Sequence, residues 1–243
     1  MRKIFGLLLT LFALPSLADI AFTVAATPQG NGGNTTLSTT INPTGSNRAV
    51  LIAVYGDGQT VAPTVTYGGL TPTLVQTGLG SGVAVLWVYQ ILPASTGSQT
   101  IDVTFAATSP RNALAAIAYS GVDQTTPIGT AITLTDASPG TTHTITPTTV
   151  VGQTVVDIQM APTTNLTVDG TQTARVDFDD LAGTFRSLGM SDKLATTTST
   201  AMTWTSADSG RSTMIAVPLN AATGGGASAV PVIYQHLRNN GKR

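Results

Sequence analysis

The chain has 243 residues, 42% of them apolar, with no cysteine, only 9% charged side chains and a formal net charge of −1. This composition excludes disulfide staples, thiol nucleophiles and thiolate metal sites, so stability has to come from a core of adequate size. Between residues 19 and 221 twelve Asp stand against six basic residues, a net of −6, which gives no electrostatic footprint for nucleic acid.

The first predicted element is a leader. Arg2 and Lys3 precede an apolar run from Ile4 to Leu14, and Pro15-Ser16-Leu17-Ala18 closes on small residues. The pattern predicts a signal peptide over 1–18, cleaved after Ala18. The run is too short to span a bilayer comfortably, and no second apolar run near twenty residues occurs after it. No transmembrane segment is expected after cleavage.

Beyond the leader the chain reads as strand. Every acidic residue is Asp, there is no Glu, and Lys occurs only at 3, 193 and 242, so the usual residues of exposed helix faces are missing. Threonine occurs 44 times, and β-branched residues suit a pleated, half-buried surface. In chain order the predicted strands begin with Ile20 to Ala26, Thr36 to Ile41 and Arg48 to Tyr55. Thr64 to Tyr67 leads through a Gly68-Gly69 turn into Thr73 to Thr77, and Val83 to Ile91 carries Trp87 and Tyr89. Thr100 to Phe105, Arg111 to Tyr119, Ala131 to Thr135, Thr142 to Thr146 and Thr154 to Met160 come next. Leu166 to Val168, Ala174 to Phe178, Phe185 to Met190, Thr200 to Thr205 and Arg211 to Val217 complete the set.

One pattern recurs. An alternating strand, a turn rich in Ser, Asn, Pro or Gly, an Arg and a more continuously apolar strand appear around Arg48, Arg111 and Arg211, with a weaker copy over Thr142 to Met160. Alternation marks a strand with one wet face, and the continuous run marks one buried on both. The spacing is irregular, so these read as recurring hairpins rather than solenoid repeats. The fold class expected is all-β, an antiparallel two-sheet β-sandwich of jelly-roll type over 19–221. Its predicted core includes Leu51, Trp87, Phe105, Ile117, Ile158, Met202, Trp204 and Ile215. A Gly-rich linker over 222–228 then leads to an apolar and basic tail over 229–243.

Four stretches carry a resemblance: Asn47-Arg48-Ala49-Val50-Leu51, Val65-Thr66-Tyr67-Gly68-Gly69, Leu86-Trp87-Val88-Tyr89, and Ala118-Tyr119-Ser120-Gly121-Val122-Asp123-Gln124-Thr125-Thr126-Pro127. The chain resembles a β-sandwich module of uncharacterised bacterial extracellular and surface proteins, some of them phage-associated. The resemblance covers most of 35–220. It implies fold and location, and it supplies no catalytic residues.

Candidate chemistry is sparse. The histidines are His143 and His236, and no Gly-x-Ser-x-Gly turn accompanies them. Asp177, Asp179 and Asp180 form the one acidic cluster; it reads as a polar strand end with a turn, or as a structural calcium site. No other cofactor is expected. Tyr55 and Tyr67 stand beside glycines at strand ends, where ligand loops lie, and are the ligand-binding candidates. In the tail Val230, Val232, Ile233, Tyr234 and Leu237 with Arg238 form a partner-binding candidate, toward a second copy or a cell-surface component. The expected role is non-enzymatic: a secreted structural, adhesive or binding module at a bacterial surface, the periplasm being a second address. A glycan-binding module is the alternative, and an exported glycan hydrolase is the more distant one.

Overall fold

The computed structural model describes residues 19–80, 84–93, 95–135, 138–161, 165–179 and 187–223. They form an all-β, antiparallel sandwich without a helix. The first half of the chain supplies β1 Ala21–Ala25, β2 Gln29–Asn31, β3 Thr36–Ile41, β4 Ala49–Asp57, β5 Thr64–Tyr67, β6 Thr73–Leu79, β7 Ala84–Ile91, β8 Gln99–Thr104 and β9 Asn112–Ser120. The second half supplies β10 Ile132–Thr135, β11 Gly140–Ile145, β12 Thr154–Ala161, β13 Thr167–Val168, β14 Thr173–Asp179, β15 Ser187–Leu194, β16 Met202–Gly210 and β17 Thr213–Leu219.

The two halves repeat one topology. The first has a sheet ordered β1-β9-β4-β7-β6, with β2 added on β9, and a small sheet β3-β8-β5. The second has β10-β17-β12-β15-β14 and β11-β16-β13, which is the same order strand for strand. The structure therefore regroups the recurring sequence pattern, and it corrects the expected hairpins: the two strands of each copy lie in different sheets, an alternating strand in a small sheet and an apolar one in a large sheet, so each copy is an arch between layers. The copy around Arg48 (β3–β4) matches the weak copy at Thr142 to Met160 (β11–β12), and the copies around Arg111 and Arg211 (β8–β9 and β16–β17) match each other.

Layer number depends on which strands are buried on both faces. All nine residues of β4 are buried, as are the eight of β12 and the seven of β17. Alternate residues of these strands enter different cores. Leu51, Ala53, Tyr55, Ile117, Ile158, Met160, Ile215 and Val217 meet in a central core between the two large sheets. Val50, Ile52 and Val54 turn the other way, onto Leu37, Val65, Ile101 and Val103 of the first small sheet. Val155, Met214 and Ala216 pack on Ile145, Met202 and Trp204 of the second. Four sheets thus stack where the sequence pattern predicts two. Burial of a fully apolar strand requires a covering layer on each side.

Opposite edges of the large sheets meet. Gly78 on β6 lies against Thr133 of β10 and Ile215 of β17, while Phe22 on β1 meets Arg175 of β14. The halves are related like the two members of an isologous dimer within one chain. Between β5 and β6, Gly68 and Gly69 take φ of 54° and 82°, and Tyr67 and Leu70 exchange backbone hydrogen bonds. That is the tight turn the Gly-Gly pair predicts, here carrying the chain from the small sheet to the large one.

Candidate functional site

The site with the most chemistry is a cleft of about 360 Å3 between the halves, lined by residues of β1, β9, β12, β14 and β15. Asp192 on β15 is its hub. Arg175 donates to it in a fork, Nε to Oδ2 at 2.8 Å and Nη2 to Oδ1 at 3.1 Å. Tyr119 of β9 donates its phenol to the same Oδ2 at 2.8 Å. The Arg175 guanidinium also lies 4.3 Å over the Phe22 ring, and Phe22 meets Tyr119 edge-on at 5.9 Å. A charge-assisted fork, a cation–π contact and an aromatic pair therefore join the halves at one point. Burial first, then the Asp192 charge and hydrogen bond, hold the Tyr119 phenol well above its usual range, so it stays a neutral donor.

The N-terminal end of the described chain reaches this cleft, and the C-terminal end is joined to it through Gly121. Asp19 and Ile20 form part of its wall. Gly121, at φ 75°, sits so close that a Cβ there would lie 2.3 Å from the Asp19 carbonyl oxygen. Ala222 donates its N–H to the Gly121 carbonyl at 2.8 Å, and Gln153 Nε2 donates to Asn220 Oδ1 at 2.6 Å. Leu194, 60% exposed, closes another side, and the turn before Gly152 carries exposed Val150 and Val151.

A second polar cluster is enclosed within the second half. Asp157 on β12 has no exposed surface; it accepts from Trp204 Nε1 at 2.6 Å and from the Ser191 hydroxyl. Gln172 Nε2 donates to Ser191 Oγ at 2.7 Å, and its carbonyl accepts from the Thr203 N–H. Desolvation, opposed by the two side-chain hydrogen bonds, pushes the Asp157 carboxyl up to about 7. Gln159, one pleat along and fully buried, has no hydrogen-bond partner for either side-chain polar atom.

The sequence candidates fall elsewhere. Tyr55 and Tyr67 are both 2% exposed, so neither presents a ring face at the surface. The Tyr55 phenol donates to Asp57, which pairs with Arg111 at 3.0 Å. Tyr67 packs in the core beneath the first small sheet, where burial raises its phenol and Arg48 partly offsets the rise. Both project inward because alternation on β4 and β5 places them on core faces. Asp177 is exposed on β14, its carboxyl raised by desolvation and by Asp179. Asp179 accepts from Ser187 Oγ at 2.6 Å and from the Asn165 N–H at 3.2 Å, while Asp180 lies outside the described residues. Among the described residues no three His, Cys, Asp or Glu side chains group as a metal site. His143 is buried on β11, its Nε2 3.1 Å from the Gly140 carbonyl oxygen. The partner-binding candidates Val230, Val232, Ile233, Tyr234, Leu237 and Arg238 also lie outside the described residues.

Sequence reading misses the Arg175–Asp192–Tyr119 cluster, whose members are brought together only by sheet packing. For Asp157 and Gln159 a signal exists: two polar residues at i and i+2 interrupt an otherwise apolar strand.

The outer faces are hydroxyl-covered. Outward positions of the first small sheet are Thr36, Ser38, Thr40, Thr64, Thr66, Thr100, Asp102 and Thr104, with Thr36, Thr104 and Thr64 in one cross-strand row. The second small sheet repeats the device with Thr142, Thr205 and Thr167 in a row. Comparison with protein-family models, with curated proteins and with solved structures finds no match.

Proposed function

We propose that the chain is an exported, non-enzymatic β-sandwich module that works by assembly or binding at a bacterial surface, with the segment 230–238 as its partner-binding element. The observation that carries the reading is the pair of hydroxyl-covered outer faces. Among the described residues neither face has a row of exposed aromatic rings, which a glycan platform of stacking type needs, because Trp87, Tyr89 and Trp204 are all buried. Threonine faces of low charge are soluble yet attract no strongly charged partner, which suits a module standing among other surface components. The leader-like residues 1–18 and the resemblance to bacterial surface modules support the same address. The experiment is fractionation of a bacterial host making the full chain or a chain ending at Thr223. The full chain is expected at the cell surface, and the shortened chain in the medium with an unchanged melting temperature. Equal distribution of the two contradicts the role of the tail, and retention of both in the cytoplasm contradicts export.

A further inference from the structure

Ser191 on β15 is a fully buried hydroxyl held between a carboxyl and a carboxamide. It donates to Asp157 Oδ1 and accepts from Gln172 Nε2 at 2.7 Å. Trp204 Nε1 donates to the other Asp157 oxygen at 2.6 Å and fixes that carboxyl, as the third member of a catalytic triad fixes its base. The Gln172 carbonyl oxygen accepts from the Thr203 N–H, which orients the amide and polarises its carbonyl. Amide bond lengths then put Gln172 Cδ about 3.5 Å from the Ser191 oxygen, the separation of a near-attack pair. The hydroxyl meets the edge of the amide, and a partial turn about the Gln172 Cγ–Cδ bond presents the face of the carbon to it. A nucleophile, a base, a group that orients the base and a backbone donor at the carbonyl thus surround one acyl carbon. Ser191 and Asp157 are fully buried, so no outside substrate reaches them, and the acyl carbon at hand is the chain's own. Gln172 is 8% exposed and follows the exposed turn residues Asp169, Gly170 and Thr171, which gives a small leaving group a way out.

We infer that Ser191 and Gln172 condense to an intramolecular ester, a covalent clamp between β15 and the residue that enters β14. Ser191 Oγ adds to Gln172 Cδ while Asp157 takes the hydroxyl proton. The negative charge gathers on the Gln172 carbonyl oxygen, which faces the Thr203 N–H. Collapse breaks the Cδ–Nε2 bond, Asp157 passes the proton to the departing nitrogen, and ammonia leaves. One hydroxyl and one carboxamide become one ester and one ammonia, with no oxidant, reductant or co-reactant. Burial sets the Asp157 carboxyl at about 7, where a general base serves in neutral solution. After condensation Asp157 keeps its burial and its Trp204 donor. The chain has no cysteine, so the link stands where a disulfide cannot form. The test is trypsin digestion of the denatured full chain, read by tandem mass spectrometry. Cleavage after Arg111, Arg175, Arg186 and Lys193 places Gln172 in the peptide 112–175 and Ser191 in the peptide 187–193. The two should stay joined at about 17 Da below their summed mass, the loss of one ammonia, and hydroxylamine should part them. The Ser191→Ala and Asp157→Asn chains should give separate peptides. Separate peptides with Gln172 intact from the unmutated chain overturn the proposal, whether or not a variant folds. A link that survives either substitution, or that hydroxylamine does not cleave, overturns it as well.

Discussion

At the residue scale Asp157 is the most informative position. The topologically equivalent residue of the first half is Ile52: Ile52 sits opposite Ala116 on β9, and Asp157 opposite Ala216 on β17. One half thus fills this core position with an aliphatic side chain, the other with a carboxyl held by Trp204 and Ser191. Its folded pKa is raised to about 7. The stabilising state is therefore the protonated one. Its contribution is fully present below the ordinary carboxylate pKa and is lost as pH rises to about 7, where the profile flattens. Urea melts between pH 4 and pH 8 should show stability declining by a few kcal/mol with rising pH, and Asp157→Asn should remove most of that slope. A wild-type profile parallel to that of the variant would contradict the assignment. Trp204→Ala should cost about 3–5 kcal/mol, since it empties a fully buried ring site and strips a donor from Asp157. Gly189→Ala should also destabilise, by about 1–3 kcal/mol, because a Cβ there would stand 2.5 Å from the Trp204 ring. Denaturant midpoints measure both. The Met202-x-Trp204 alternation marks Trp204 as core in the sequence. The partner of its indole N–H is not legible there, since Asp157 lies 47 positions away.

At the element scale the strands are largely legible, because each reports its own environment. Thr36 to Ile41 alternates exposed and buried residue by residue, as a strand with one wet face does. Ala49 to Asp57 is apolar nearly throughout and is buried throughout. What a strand does not report is which sheet covers its second face, and that is why the layer number differs from expectation. The same reason hides the clamp at the cleft. Phe22 and Tyr119 come from β1 and β9, Arg175 and Asp192 from β14 and β15, and no local pattern links them. Arg175→Ala should cost about 1–3 kcal/mol, because it strips the charged fork from a buried Asp192 carboxylate and leaves the Tyr119 phenol to hold it. Tyr119→Phe should cost about 1 kcal/mol. The two act on one carboxylate, so the double variant should depart from additivity by at least about 0.5 kcal/mol. Strict additivity in a double-mutant cycle would show that the three groups are not a unit.

At the scale of the whole molecule the chain is two sandwiches of one topology sharing a central core. The sequence shows three strong copies of a strand-turn-strand unit and one weak one, and the weak copy is weak because Asp157 and Gln159 break its apolar run. The structure pairs it with the copy around Arg48 all the same, since strand order and not side-chain identity defines the repeat. Each half alone would expose Leu51, Ile117 and their neighbours, or Ile158, Ile215 and theirs, to water. Fragments 19–122 and 123–223 should accordingly be insoluble or unfolded when made separately. The cleft is lined from both halves, so it exists only while they stay docked. The direct measurement is urea unfolding of residues 19–223, tracked together by far-ultraviolet circular dichroism, Trp fluorescence and amide exchange in each half. The two tryptophans, Trp87 and Trp204, lie in different halves, so each half carries its own reporter. A single coincident transition is predicted, and two separable transitions, one for each half, would contradict a shared core.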